Sequence, residues 1–263
     1  MAAAMVHLMY HELELPGRPL CAPEPGYVRY VVAEADFRSQ IAWLRDSGWA
    51  GMNVSQALAG PRHHAVAITF DDGAETDLIA AAPVLKEARF QATFYITVGY
   101  LGRRGYLSRP QLQQLHRLGF EIGCHSMTHP YLNDLDSPGL QREIADAKCE
   151  LEQIIAAPVL HFSSPGGRYD QRAREVARKA SYASVSTSSF RANTVSTDRF
   201  SLGRTVVMRD QTLPGFQRLC RGEGLWKKRL TDAAFHSAKG LLGNQRYDQL
   251  RAYLLGRPSS ARK

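Results

Sequence analysis

Cysteine is scarce in this chain: Cys21, Cys124, Cys149 and Cys220 are the only four among 263 residues, and no two form a CxxC pair. That excludes a disulfide framework and a cysteine zinc site, and a cytoplasmic protein with free thiols is expected. No apolar run approaches the roughly 20 residues that span a bilayer. The opening MAAAMVHLMYHELE lacks a basic leading region. Its apolar stretch is interrupted by His7 and closed by His11 and Glu12, unlike a signal peptide. Internal repeats are absent, and no nucleic-acid motif accompanies the basic residues, so a nucleic-acid partner is not expected. With 44% hydrophobic and 22% charged residues, neither disorder nor a collagen-like chain is indicated.

What is present begins with charge. Lys and Arg number 33 against 25 Asp and Glu, a formal net charge of +8. Part of the surplus is local, because the stretch from Arg221 carries Lys227, Lys228, Arg229, Lys239, Arg246, Arg251, Arg257, Arg262 and Lys263 against only Glu223, Asp232 and Asp248. Within it, Trp226, Leu230, Ala234, Ala238 and Leu241 recur at helical spacing beside a basic face. Docking onto the rest of the chain explains such a stripe; peripheral contact with an anionic membrane is the alternative.

The remaining chain alternates strands with helices in the manner of a parallel sheet wrapped by helices. Strands are read at VHLMY (6–10), HAVAITF (64–70), 92–98, 120–124, VLHFS (159–163), YASVST (182–187) and LGRTVVM (202–208). Helices are read over 35–47, 78–88, 109–118, 138–155 and 170–179, with Ser108 and Pro110 as a start signal and Gly119 as a stop. This is a (β/α) barrel with fewer or less regular units than eight. Functional groups of such barrels sit on the loops after the strands. His11, Asp71 and Asp72, His125 and His129, and the loop PGGRYD (165–170) all fall at those positions.

In HSMTH (125–129), two imidazoles four residues apart can converge on one ion, although alone such a pair is often coincidental. Joined to TFDDG (69–73), it acquires a carboxylate. Two imidazoles and one carboxylate leave a tetrahedral zinc with an open position, as a hydrolytic site needs. Adjacent carboxylates repel, and one of them could merely cap the next helix. A metal on Asp72 relieves the repulsion and leaves Asp71 ionised to accept a proton from water.

TFDDG and HSMTH, about fifty residues apart, resemble the polysaccharide deacetylase, or NodB-homology, family of carbohydrate esterases over roughly residues 5 to 210. The resemblance implies a distorted (β/α)7 barrel, Asp71 as general base, and Asp72, His125 and His129 as ligands of Zn2+ or another divalent metal. It implies hydrolysis of N-acetyl groups on an N-acetylated glycan, with another acyl amide or an acetyl ester as alternatives, and a non-catalytic glycan-binding remnant as a third. Residues 1–210 are then the deacetylase domain and 211–263 a basic helical extension that could contact a membrane or polysaccharide-synthesis machinery.

Three departures stand out. Where many members carry Arg-Pro-Pro-Tyr, this chain has Ser163, Ser164, Pro165, Gly166 and Gly167, so the arginine that orients the base is missing; Arg168 is the nearby candidate. Pro165, Gly166, Gly167 and Arg168 are assigned to substrate binding. The Asp-Trp motif is absent near STSSF (186–190), and LGRTVVMRD lacks the late histidine that supplies the general acid. MYH (9–11) resembles a subgroup acting on biofilm and exopolysaccharide polymers, in which a first-strand histidine takes that role, which makes His11 the candidate acid. PGGRYD and LLGNQRYDQLRAYLLGR also resemble proteins of bacterial exopolysaccharide synthesis.

Overall fold

The computed structural model describes residues 4–60 and 62–225. In chain order β1 (Val6–Tyr10), β2 (Leu13–Glu14), α1 (Pro25–Val28), β3 (Val32–Ala33), α2 (Glu34–Asp46), β4 (Ala50–Met52), α3 (Val54–Ala59) and β5 (Ala65–Phe70) come first. A π-helical turn (Asp77–Ala81) then leads into α4 (Ala82–Glu87), followed by β6 (Thr93–Ile96), α5 (Arg109–Arg117), β7 (Glu121–Cys124) and α6 (Ser137–Gln141). A second π-helical turn (Arg142–Asp146) leads into α7 (Ala147–Ile155), β8 (His161–Ser163), α8 (Gln171–Lys179), β9 (Ser184–Ser186), β10 (Thr205–Val206) and α9 (Leu213–Cys220).

The main sheet is parallel and runs β10-β1-β5-β6-β7-β8-β9. Its ends meet: Ser186 bridges Leu202 in parallel, Leu202 N–H donates to Val185 O (2.9 Å), and Thr187 N–H donates to Leu202 O (2.8 Å). The segment that enters β10 therefore closes the curl against β9. Distortion is localised at β5, whose first half pairs with β4 (Ala50 with Ala65) and whose end pairs with β6 (Thr69 with Thr93). The result is the distorted (β/α)7 barrel implied by the sequence motifs.

Alternation along the strands sorts the side chains into two environments. Outward-facing Val6, Leu8, Tyr10, Val66, Ile68, Phe70, Phe94, Ile96, Ile122, Phe162 and Val185 form the apolar core with the helices. Within it Tyr10 stacks on Phe70 (centroids 5.2 Å apart) and Phe70 on Phe94 (4.9 Å). Many inward-facing residues are polar, unlike the apolar layers that usually fill such barrels. Tyr95 Oη bonds Ser186 Oγ (3.0 Å), His161 Nδ1 bonds Ser184 Oγ (2.9 Å), and Thr93 Oγ1 donates to Glu121 (2.5 Å). Burial of these groups is tolerable because they satisfy one another.

Local signals account for most helix ends. Ser108 and Gln111 form a reciprocal capping box at α5, with Pro110 in its first turn. The helix read over 138–155 is interrupted by the second π-helical turn. Strand β4 and helix α3, three and six residues long, were not anticipated, since elements so short carry too little periodicity. Helix α9 packs back on α2, Phe216 meeting Trp43 edge to face at 6.1 Å. The apolar stripe from Trp226 to Leu242 and the basic positions beside it lie outside the described residues. Among the described residues no helix is long and apolar enough to cross a membrane.

Candidate active site

Strand β5 delivers two carboxylates to the barrel rim and then turns sharply. Asp72 (φ 78°) and Gly73 (φ 82°) are both left-handed. Aspartate tolerates that conformation better than most residues, and glycine adopts it freely. The turn separates the two acids by direction: Asp71 faces into the barrel, and Asp72 faces the loop after β7. That loop is equally bent, with Ser126 at φ 68° and His129 at φ 65°. Ser126 Oγ accepts from His129 N–H (2.9 Å), while the buried Glu143 carboxylate accepts from Met127 N–H (2.9 Å), Thr128 N–H (2.7 Å) and Thr128 Oγ1 (2.7 Å). Glu143 sits on the second π-helical turn, so the interruption of that helix supplies the clamp for the histidine loop.

Asp72, His125 and His129 bring ligand atoms within 4.8 Å of one another. Asp72 Oδ1 lies 3.6 Å from both His125 Nε2 and His129 Nε2. Two further observations fit a metal. His125 Nδ1 lies 2.8 Å from the Ser163 carbonyl, which can only accept, so that nitrogen carries the proton and Nε2 presents its lone pair. Asp72 Oδ1 is buried and has no hydrogen-bond partner among the described residues, a costly state unless an ion satisfies it. Burial pushes the His125 imidazole down to about 4, so it stays neutral and competent as a ligand at neutral pH.

Asp71 is held from the opposite side of the barrel. Arg204 donates to it twice, Nη1 to Oδ1 (2.6 Å) and Nη2 to Oδ2 (2.7 Å), and donates also to Ser163 Oγ (2.7 Å). Ser163 Oγ in turn faces Asp71 Oδ2 at 3.3 Å. Burial by itself would raise the Asp71 carboxyl, but the charge of Arg204, then that of His125, and the hydrogen bonds of Arg204 outweigh it and hold the group well below the ordinary carboxylate range. Asp71 is thus an ionised base with a fixed orientation, 3.7 Å from His125 Nε2.

The sequence points to Arg168 for this role, but the arginine that holds Asp71 is Arg204, in the LGRTVVM run. The structure places Arg168 against the Tyr131 ring, Cζ 3.6 Å from its centroid, beside the Gly166 and Gly167 turn, where both glycines have positive φ. Pro165 is buried beneath that turn. Arg204 had a legible signal: an arginine inside an apolar strand run is abnormal unless something charged is buried with it. His161, on β8, is bonded to Ser55 Oγ (2.8 Å) and Ser184 Oγ and, among the described residues, has no hydrogen bond to the cluster.

His11 follows β1 on the same rim, its ring stacked on Tyr30 at 5.1 Å. Burial lowers its imidazole, while the Asp72 and Asp71 charges pull it back up, which places it within electrostatic reach of both acids. His11 Nδ1 is buried without a partner.

The polysaccharide deacetylase family model matches residues 59–185. The chain is 28% identical over 181 residues to YxkH of Bacillus subtilis, covering 66% of this chain and 61% of that protein. It is 29% identical over 111 residues to poly-beta-1,6-N-acetyl-D-glucosamine N-deacetylase of Staphylococcus aureus, covering 37% of this chain and 38% of that protein. The chain therefore spans less than two thirds of either relative. The Streptococcus pyogenes deacetylase PplD, solved in complex with acetate, shares the fold with a TM-score of 0.74 at 21% identity, covering 84% of this chain and 99% of that one. Residues 59–185 are thus similar to the polysaccharide deacetylase domain.

Proposed function

We propose that this chain hydrolyses N-acetyl groups on an N-acetylated glycan, with a divalent metal held by Asp72, His125 and His129. The donor set of two imidazoles and one carboxylate suits zinc. The observation that carries the reading is the pairing of a buried, arginine-held Asp71 with an adjacent ligand cluster whose Asp72 Oδ1 has no partner. A binding remnant has no use for a buried ionised base, whose desolvation is a net cost.

When bound, the metal supplies Lewis-acid polarisation of the acetyl carbonyl and lowers the pKa of water at the site. Asp71 takes the proton of the attacking water, and Arg204 and Ser163 fix the carboxylate so that no reorientation precedes the transfer. His11, on the rim beside both acids, takes up a proton and passes it to the departing nitrogen as the C–N bond breaks. Burial keeps its resting form neutral, so uptake must come first. The products are acetate and a free amino sugar. Likeness to the S. aureus poly-beta-1,6-N-acetyl-D-glucosamine deacetylase supports a substrate among exopolysaccharides under synthesis.

The test is acetate release from N-acetylated oligosaccharides by zinc-loaded protein, lost with chelator and restored by metal. His11→Asn is expected to retain metal and lose about a hundredfold or more on the amide, while an activated acetyl ester, whose leaving group needs no proton, suffers far less. Equal loss on both substrates removes His11 from the acid role, and chelator-resistant turnover removes the metal from the reaction.

A further inference from the structure

Three tyrosines from segments that carry the site each have an arginine over the ring. Tyr30, stacked on His11, has the Arg29 guanidinium 5.5 Å from its centroid. Tyr100, stacked on His129 at 6.1 Å, has that of Arg103 at 5.0 Å. Tyr131, two residues after His129, has that of Arg168 at 3.6 Å. The pairs come from the segment between α1 and β3 and from the loops after β6, β7 and β8, so only the tertiary structure forms them.

A guanidinium lying on an aromatic face leaves its in-plane N–H donors directed outward, in the fork that matches a carboxylate or phosphate. Two other arginines are neutralised, Arg18 by Glu75 and Arg209 by Glu14. Arg29 and Arg103 have no carboxylate partner among the described residues, yet each lies only one aromatic ring from a residue of the cluster. A neutral glycan would use the tyrosine faces as platforms and would leave these two charges idle.

We infer that the glycan taken by this site is acidic, carrying carboxylate or phosphate groups on sugars that flank the acetamido sugar, and that Arg29 and Arg103 read those groups. This rests on the deacetylase reading above and specifies its substrate class. The tyrosines seat the sugar rings while the two arginines discriminate by charge, and the net charge of +8 draws such a polymer to the protein.

Three oligosaccharides of equal length test it with the zinc-loaded full chain: neutral N-acetylglucosamine units, the same units alternating with uronate, and the neutral chain bearing phosphate monoesters. The acidic substrates are expected to show the lower KM, with the gap closing as salt rises. The uronate and phosphate arms identify which anion is read. Arg29→Gln with Arg103→Gln is expected to raise KM on the acidic substrate about tenfold, two solvent-screened charge contacts together, and to raise that on the neutral one by less than about twofold. Equal KM values for acidic and neutral chains, or a variant that weakens both alike, overturn the inference. Absence of acetate from every substrate overturns the deacetylase reading instead; calorimetric binding of acidic over neutral glycan then still decides whether the charge recognition stands.

Discussion

Arg204 and Asp71 form the most consequential contact at the scale of single residues. Arg204 is 1% exposed, so its charge is tolerable only because Asp71 receives it bidentately. Removing one partner leaves the other buried and unpaired. Arg204→Met is expected to destabilise the fold by about 3–5 kcal/mol and to raise the Asp71 carboxyl, moving the acidic limb of the rate profile to higher pH. Arg204→Lys keeps the charge but loses the fork and should recover only part of the effect. A pH–rate profile unchanged in Arg204→Met would show that the arginine does not tune the base. The sequence made Asp71 visible through its motif; for Arg204 it offered only an arginine out of place in an apolar strand run, and it hid the partner, because the contact joins residues more than a hundred positions apart.

At the scale of elements, the two π-helical turns follow the two motif loops along the chain. The first, at Asp77–Ala81, begins four residues after the DDG turn, and the second presents Glu143 to the histidine loop. Glu143 satisfies three donors of a loop that contains two left-handed residues, Ser126 and His129. Without that clamp the strained loop relaxes and His129 loses its placement. Glu143→Ala is accordingly expected to weaken metal affinity about 10–100-fold while the rest of the barrel persists, measured by competition with a chromophoric chelator alongside circular dichroism. Unaltered affinity would make Glu143 a helix residue without bearing on the site. Periodicity revealed one long helix here but could not reveal its interruption, since one extra residue per turn hardly changes the apolar pattern.

For the whole molecule, the polar barrel interior governs acid stability. His7, 2% exposed inside the barrel, is pushed down to about 3 by burial first, then by the charges of Arg204 and His161. Its pKa is depressed relative to the unfolded chain, near 6.5. Its contribution is therefore complete above about pH 6.5 and is lost as pH falls toward about 3, because the unfolded state takes up a proton that the native state refuses. His125, lowered to about 4, acts in the same direction, and Asp71 adds to it below the ordinary carboxylate range. Metal-free protein is expected to lose roughly 1 kcal/mol per pH unit for each such histidine between about pH 6 and 4. His7→Gln, which does not titrate, should show a visibly shallower decline in urea denaturation. The same slope in both proteins would locate the acid sensitivity elsewhere.

What the sequence determined by itself was local: strands and helices from hydrophobic period, helix starts from capping residues, and ligand candidates from TFDDG and HSMTH. Each of these depends on residues within a few positions of one another. The tertiary structure decided what depends on distance in the chain. It closed the barrel through Leu202 and Ser186, brought Arg204 to Asp71 across the interior, and replaced the missing arginine of the PGGRYD loop from a different strand. It also stacked Tyr30 on His11 and Tyr100 on His129, each with an arginine over its ring. Local pattern specifies which face of an element is buried, whereas only the closed sheet specifies which buried faces meet, and the chemistry of this protein lies where they meet.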